Sequence, residues 1–213
     1  MKLASTLVTS ALALALSGSV LAGCSSEPST DPEGPEGPAA LTAKDLAGRW
    51  VSKGCEAYPN GQGGDNYLTR DFTLTEGEWN LTFTLFGDAE CSYPLFSAKI
   101  VGPYSLGGLS EEVEGATEGQ FGFAKNEWTA LDQGMADMFT QSGCGTAAWE
   151  VGVPQDVTEK GCIGVAHPVG ECPEEFDVVS IDGDELYFGE RVTDMCKEEG
   201  RPVALSSYAV FKQ

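Results

Sequence analysis

The fold class of this chain is decided by the segment YLTRDFTLTEGEWNLTFTL, residues 67–85. In its second half, apolar side chains occupy every other position, at Trp79, Leu81, Phe83 and Leu85. This is the period of a half-buried β-strand and not of a helix. The turn signal Thr75-Glu76-Gly77 precedes it, so the segment predicts a β-hairpin.

Short strand patterns continue along the chain on both sides of this hairpin. Strands are predicted at residues 48–53, 96–104, 114–124, 127–131, 148–153, 162–166, 176–181, 185–189 and 204–211. Only residues 132–141, with Met135, Met138 and Phe139 on one side, indicate a short helix. Many short strands with little helix predict an all-β domain, an antiparallel, lipocalin-like β-barrel. A two-sheet β-sandwich is the alternative.

Cys24 predicts the compartment. The run Leu21-Ala22-Gly23-Cys24 closes an apolar segment that begins after Lys2, which is typical of a lipoprotein signal. We therefore expect a signal peptide at 1–23, a lipidated Cys24 with a flexible tether at 24–40, and one domain at 41–213. Acyl chains on Cys24 would anchor the protein to a membrane of the cell envelope. Ser25 favours the outer membrane, with the domain periplasmic or surface-exposed.

The remaining six cysteines are an even number in an oxidising compartment, which predicts three disulfides. Several connectivities are open from sequence alone. Chain order groups the cysteines as Cys55–Cys91, Cys144–Cys162 and Cys172–Cys196.

The charge balance and the rarity of histidine exclude several functions. Acidic residues outnumber basic ones by 33 to 12, a net charge of -21, which makes nucleic acid an unsuitable partner. The chain has no Cys-x-x-Cys pair and one histidine, His167, so we expect no metal site and no cofactor. His167 has no paired nucleophile, and we do not expect an enzyme.

Two sets of side chains are candidates for a site. Four polar residues lie in strand-like segments outside the acidic runs: Arg70, Glu118, Gln155 and Asp156. They either contact a ligand or form an ion-pair and hydrogen-bond network that fixes strand register. The aromatic residues Trp50, Phe72, Trp79, Phe83 and Trp149, together with Phe121 and Phe123, either line an apolar pocket or form ordinary core.

A series of motifs resembles the APCDDC domain of the adenomatosis polyposis coli down-regulated family. In chain order the motifs are GRWVSKGCE (48–56), YLTRDF (67–72), Trp79, Cys91, PLFS (94–97), GPYS (102–105), GATE (115–118), Cys144-Gly145, WEVGVPQDVT (149–158) and Gly161-Cys162. The resemblance covers residues 46–166.

The resemblance implies a β-barrel and, for the animal members, membrane-tethered extracellular antagonism of Wnt signalling with an apolar pocket for a lipid chain. This chain departs from that pattern. We expect one domain instead of two in tandem and an N-terminal lipid instead of a C-terminal helix, and Cys172 and Cys196 have no counterpart. The fold and the pocket carry over as expectations, and the Wnt role does not.

Three functions follow as expectations. The first is a lipid-anchored envelope protein that binds a hydrophobic small molecule or an acylated partner in the barrel, which predicts an apolar cavity. The alternative is a protein or glycan interaction module with a solid barrel, which predicts an exposed apolar patch. The third is a hydrolase that uses a pair of carboxylates.

Overall fold

Antiparallel strands account for nearly all of the regular structure. The computed structural model describes residues 38–60, 63–162 and 166–213, so Cys24, the signal segment and most of the tether lie outside the described residues. The strands are β1 Gly48–Ser52, β2 Glu56–Pro59, β3 Asp65–Leu74, β4 Glu78–Phe86, β5 Pro94–Leu109, β6 Thr117–Gly122, β7 Lys125–Ala130, β8 Pro154–Asp156, β9 Glu174–Asp182, β10 Glu185–Phe188 and β11 Val210–Lys212. The α-helices are α1 Ala43–Leu46 and α2 Gln133–Gln141, and no described helix has the length and hydropathy to cross a membrane.

Eight of the strands close into an antiparallel barrel in the order β1-β3-β4-β5-β6-β9-β10-β11 and back to β1. The predicted hairpin is confirmed as β3 and β4, which pair from Tyr67 with Phe86 to Leu74 with Trp79. The closed ring confirms the barrel and excludes the sandwich. Three further strands extend the sheet outside the ring. β2 pairs with the first half of β3, and β8 pairs with β7, which itself pairs with β5.

The barrel forks along β5. The second half of β5 pairs with β6, and its first half pairs with β7 on the same edge. β5 and β6 approach each other closely at Gly102, where an added Cβ would lie 1.8 Å from the carbonyl oxygen of Gly122. Trp79 lies opposite Gly102 and donates its indole N–H to the same oxygen at 2.8 Å. β6 pairs on its far side with β9, whereas β7 pairs on its far side with β8.

Aromatic side chains fill the barrel where the ring is closed. Phe72 on β3 stacks on Phe188 on β10, with ring centroids 4.7 Å apart, although these strands are not neighbours in the ring. Phe121 contacts Phe188, Trp79 and Tyr104 at 5.6 to 5.7 Å. All five side chains are buried. Because the rings touch across the barrel, side chains occupy its interior at this level.

A second core lies under α2, at the other end of β5. Phe139 of α2 packs against Phe96 and Trp128 of the sheet and against Trp149, with ring centroids 4.8 to 5.4 Å apart. Phe83 contacts both cores and is only partly buried. The helix predicted at 132–141 is confirmed, and its cap is Asp132, whose Oδ1 accepts the N–H of Met135 at 3.1 Å.

The six described cysteines form three disulfides. Cys55–Cys91 joins the β1–β2 connection to the β4–β5 connection, and Cys144–Cys162 joins the two segments that cover the second core. Cys172–Cys196 ties the segment before β9 to the segment after β10. These are the pairs that chain order groups together.

Three strand predictions need correction. Residues 148–153 form no strand, because the N–H of Trp149 donates to Thr140 Oγ1 of α2 and Gly152 has a positive φ of 79°. Cys162 and Ala166 form an isolated bridge, and residues 163–165 lie outside the described part. At 204–211 only the last two residues belong to β11. β2 was not predicted, because its sequence Glu-Ala-Tyr-Pro has no clear alternation.

Candidate functional site

Arg70 lies in a buried ion pair with Glu56. Its Nε and one terminal nitrogen donate to the two carboxylate oxygens at 2.8 and 3.1 Å, and that terminal nitrogen also donates to the carbonyl oxygen of Tyr208 at 2.9 Å. The Arg70 and Glu56 side chains are 11% and 4% exposed. Ser52 completes the network, donating its hydroxyl to Glu56 and accepting the Arg70 N–H. The network links β1, β2, β3 and the segment before β11, and it gives these buried polar groups hydrogen-bond partners.

Tyr58 lies beside this ion pair. Its hydroxyl donates to Glu56 Oε2 at 3.0 Å, and its ring packs on Tyr208 at 5.1 Å. Burial raises the pKa of Tyr58 above the ordinary value for a tyrosine, and the nearby Arg70 opposes this shift. The phenol therefore remains neutral and serves as a hydrogen-bond donor to Glu56.

Glu118 lies on a different face of the molecule. Its carboxylate is 3.5 Å from Arg201, whose guanidinium also donates to the carbonyl oxygens of Gly119 and Asp177. Arg201 also covers the ring of Phe176 at 5.4 Å. Glu118 thus helps to hold the segment after β10 against β6 and β9, and it does not meet Arg70.

Gln155 and Asp156 both line a groove of about 670 Å³ beside β8. Its lining also includes residues 146–148, which precede Trp149, and Glu159 and Lys160, which follow β8. Gln155 donates its side-chain amide to the carbonyl oxygen of Ala148 at 2.9 Å. The Gln155 Oε1 is buried and has no hydrogen-bond partner in the described part of the chain.

β8 is the last strand of the sheet on this side. Val157 donates its N–H to the carbonyl oxygen of Asn126, so residue 157 forms a hydrogen-bonded pair with residue 126 of β7. Antiparallel pairs alternate, so the N–H and C=O of Asp156 and the C=O of Pro154 point away from β7. Within the described ranges, no strand pairs with that edge.

The groove has an acidic rim. Glu150, Asp156 and Glu159 line it together with one cation, Lys160. Hydrogen bonds from the Thr158 hydroxyl and N–H lower the pKa of Asp156 below its ordinary value. Asp156 is therefore ionised at neutral pH and adds to the negative charge beside the edge of β8.

Four exposed apolar residues lie near β8 and the connection that precedes it, and we call them the β8 face: Tyr93, Leu131, Val151 and Val153. They are 52%, 36%, 45% and 46% exposed. The N–H of Gly152 donates to the carbonyl oxygen of Ala130 at 2.8 Å, which brings the backbone between the two valines next to the residue before Leu131. The Tyr93 hydroxyl donates to Asp132, the residue after Leu131. Val153 belongs to the β8 face and also lines the groove.

The predicted aromatic lining residues are mostly packed core. Trp50, Phe72 and Trp79 belong to the main core, and Trp149 belongs to the second core. Trp50 donates its indole N–H to the carbonyl oxygen of Leu46 at 2.8 Å, which ties the last residue of α1 to β1. Phe83 differs, because it faces the interior between the two cores and remains partly exposed. Phe121 and Phe123 pack in or against the main core.

A comparison with protein-family models matches residues 36–164 to the family described as adenomatosis polyposis coli down-regulated 1, APCDDC. The match spans more than half of the 213 residues. The chain belongs to the APCDDC family. Within this APCDDC domain the matched region includes β1 to β8, whereas β9, β10 and β11, which close the barrel, follow it.

Sequence reasoning missed several residues of the APCDDC domain that matter for these sites. Glu56 follows a cysteine in a segment with no strand pattern, so nothing in the sequence marked it as the partner of Arg70. The β8 face draws on three separate segments, none of which is unusually apolar. In the described ranges, no group of three or more His, Cys, Asp and Glu side chains is arranged to hold a metal ion.

Proposed function

We propose that this APCDDC domain is an interaction module of the cell envelope, and that it binds a protein partner through the β8 face and the adjoining groove. The observation that carries the proposal is the position of the exposed apolar side chains. Of the eight large exposed apolar residues in the described ranges, four form the β8 face, and one of them, Val153, also lines the groove. Exposed apolar patches of this kind mark interaction sites on soluble domains.

The packing of the barrel also favours binding of a partner at the surface, compared with binding of a ligand inside the barrel. The aromatic rings that touch across the closed ring leave no wide apolar channel at that level.

The predicted lipid on Cys24 would hold the domain near a membrane, where its partners would be other envelope proteins. Radiolabelled palmitate should label the wild type and not the Cys24→Ser variant.

Photo-crosslinking in cells tests the binding surface. A photoreactive phenylalanine analogue replaces Val153 in the full-length chain, and the matched control carries it at Val203, which is 65% exposed and lies outside the β8 face. We expect a discrete crosslinked protein from position 153 and none from position 203. Absence of any crosslink at 153, or equal products from both positions, would contradict the proposal.

A hydrophobic ligand in the barrel is the second candidate function. Phe83, Ile100 and Leu106 pack against the main core while remaining partly exposed, so apolar surface is accessible around it. Native mass spectrometry of the purified mature protein, followed by organic extraction, tests this function. A stoichiometric fatty acid or phospholipid would support it, and an unchanged apo mass after incubation with acyl chains would exclude it.

A further inference from the structure

The edge of β8 offers backbone hydrogen-bonding groups to a partner. The C=O of Pro154 and the N–H and C=O of Asp156 point outward, and no described backbone or side-chain group hydrogen-bonds to them. Pro154 and Asp156 both line the groove of about 670 Å³, so open space adjoins the two residues that carry these groups. An added strand would satisfy them in the same way that β7 satisfies the other edge of β8.

The side chains around the edge select the type of strand. Asp156, Glu150 and Glu159 make the rim negative against a single Lys160. The lining also includes small or apolar residues, among them Ala147, Ala148 and Val153. Side chains of a strand alternate between two faces, so a bound strand would present basic groups to the acids and apolar groups to these walls.

We propose that the groove binds an extended polypeptide with alternating basic and apolar residues, which adds to the sheet as a strand beside β8. This inference rests on the proposed function, because it specifies the partner for the same face. Since Pro154 has no N–H, the bound strand makes its main-chain contacts with Asp156 and the Pro154 carbonyl. Affinity comes from those hydrogen bonds, and the acidic rim selects basic partners.

A peptide library supplies the probe. Random ten-residue peptides are selected by phage display against the purified mature protein, and the best peptide is synthesised for calorimetry. We expect selected sequences with basic and apolar residues at alternating positions. Failure to select any peptide, or selection of acidic or non-alternating peptides, would overturn the proposal.

Two variants of one residue separate main-chain pairing from charge. Asp156→Pro removes the outward N–H but no hydrogen bond to β7, and it should weaken binding of the selected peptide by about tenfold or more. Asp156→Asn keeps the N–H and an oxygen that can accept from Thr158, so it should weaken binding only about twofold to threefold and reduce the salt dependence. Thermal unfolding of both variants checks that they are folded.

The outcome also distinguishes strand addition from the proposed function. If Asp156→Pro is folded and binds the peptide as the wild type does, strand addition is wrong. In that case a crosslink at Val153 would still support the β8 face as an interaction surface. If the crosslink is absent as well, both the partner class and the proposed function fail.

Discussion

At the scale of single residues, the Arg70–Glu56 ion pair links strands that are separate in sequence. The two side chains are almost completely removed from water, so each charge depends on the other and on its hydrogen bonds. A nearby pair, Arg49 and Asp71, has the same chemistry but is 58% and 41% exposed. The two pairs allow a direct comparison of buried and exposed ionic contacts in one sheet.

Removing one partner should lower the free energy of unfolding by several kcal/mol only in the buried pair. Glu56→Ala leaves the Arg70 guanidinium buried without its carboxylate and should lower the free energy of unfolding by about 3 to 5 kcal/mol. The matched change in the exposed pair, Asp71→Ala, should lower it by about 1 kcal/mol or less. Urea unfolding measures both values. Similar losses in the two variants would show that burial does not decide the energetics.

Asp177 is a buried acid that makes the stability of this domain depend on pH. It is 1% exposed, and its Oδ1 accepts the N–H groups of Val178 and Gly189 at 2.7 and 2.9 Å. Burial raises the pKa of Asp177 above its ordinary value, although Arg191 opposes the shift. Since the pKa is higher in the folded state, the carboxyl group favours folding fully only below its unfolded pKa. This contribution is lost as the pH rises through the folded pKa.

The Asp177→Asn variant should remove this pH dependence. Asparagine keeps an oxygen that can accept both N–H groups but does not titrate. As the pH rises above about 4, the ordinary pKa of an aspartate, the free energy of unfolding of the wild type should therefore fall relative to that of the variant. Urea unfolding of both proteins at several pH values measures the difference. A difference that stays constant as the pH rises would contradict the assignment to Asp177.

At the scale of the elements, the fork in β5 depends on a close approach that only glycine permits. A Cβ at Gly102 would overlap the carbonyl group of Gly122, and that carbonyl also accepts the indole N–H of Trp79. Both contacts lie where β6 gives way to β7 along β5. The fork places the main core on one side and the second core, with α2 and β8, on the other.

Gly102→Ala should therefore destabilise the domain. The strands must separate to admit the methyl group, which we expect to lower the free energy of unfolding by about 2 kcal/mol or more. Gly108→Ala on the same strand is the control, because an added Cβ there has nothing within 4 Å. The control should change stability by less than about 0.5 kcal/mol. Equal effects in urea unfolding would argue against the close approach as the cause.

At the scale of the whole molecule, the disulfides hold together regions that the closed barrel does not. Cys144–Cys162 spans 18 residues and clamps the segments over the second core, beside the groove. Cys172–Cys196 spans 24 residues and acts at the start of β9. Closure of loops of these lengths stabilises a domain by about 3 kcal/mol in the chain-entropy model.

Removing the two disulfides should loosen different parts of the protein. In the Cys144→Ala and Cys162→Ala double variant, the free energy of unfolding should fall by about 3 kcal/mol, and amide hydrogen exchange should become faster in α2 and β8. The Cys172→Ala and Cys196→Ala double variant, with a similar loop, should instead raise exchange near the start of β9. Hydrogen exchange with mass spectrometry resolves the two patterns. Uniform acceleration in β3 and β4 by either variant would contradict a local role.

Local patterns in the sequence predicted the parts of this structure that depend on neighbouring residues. The alternation from Trp79 to Leu85 identified β4, and Asp132 with the apolar residues that follow identified α2. The segment at 148–153 misled the same reasoning, because Trp149 is held by α2 and Cys144 and not by another strand. Alternation records which side of the backbone is apolar and does not record which element covers it.

The sequence by itself determined the all-β class, the hairpin, the disulfide-bonded character and the membership of the APCDDC family. Only the tertiary structure decided the closure by β9, β10 and β11, the pairing of Arg70 with Glu56, and the grouping of Tyr93, Leu131, Val151 and Val153. The physical reason is the distance along the chain over which each kind of interaction acts. Alternation and turn chemistry act over a few residues, whereas strand pairing, ion pairs and surface patches depend on the packing of segments that the chain brings together only when it folds.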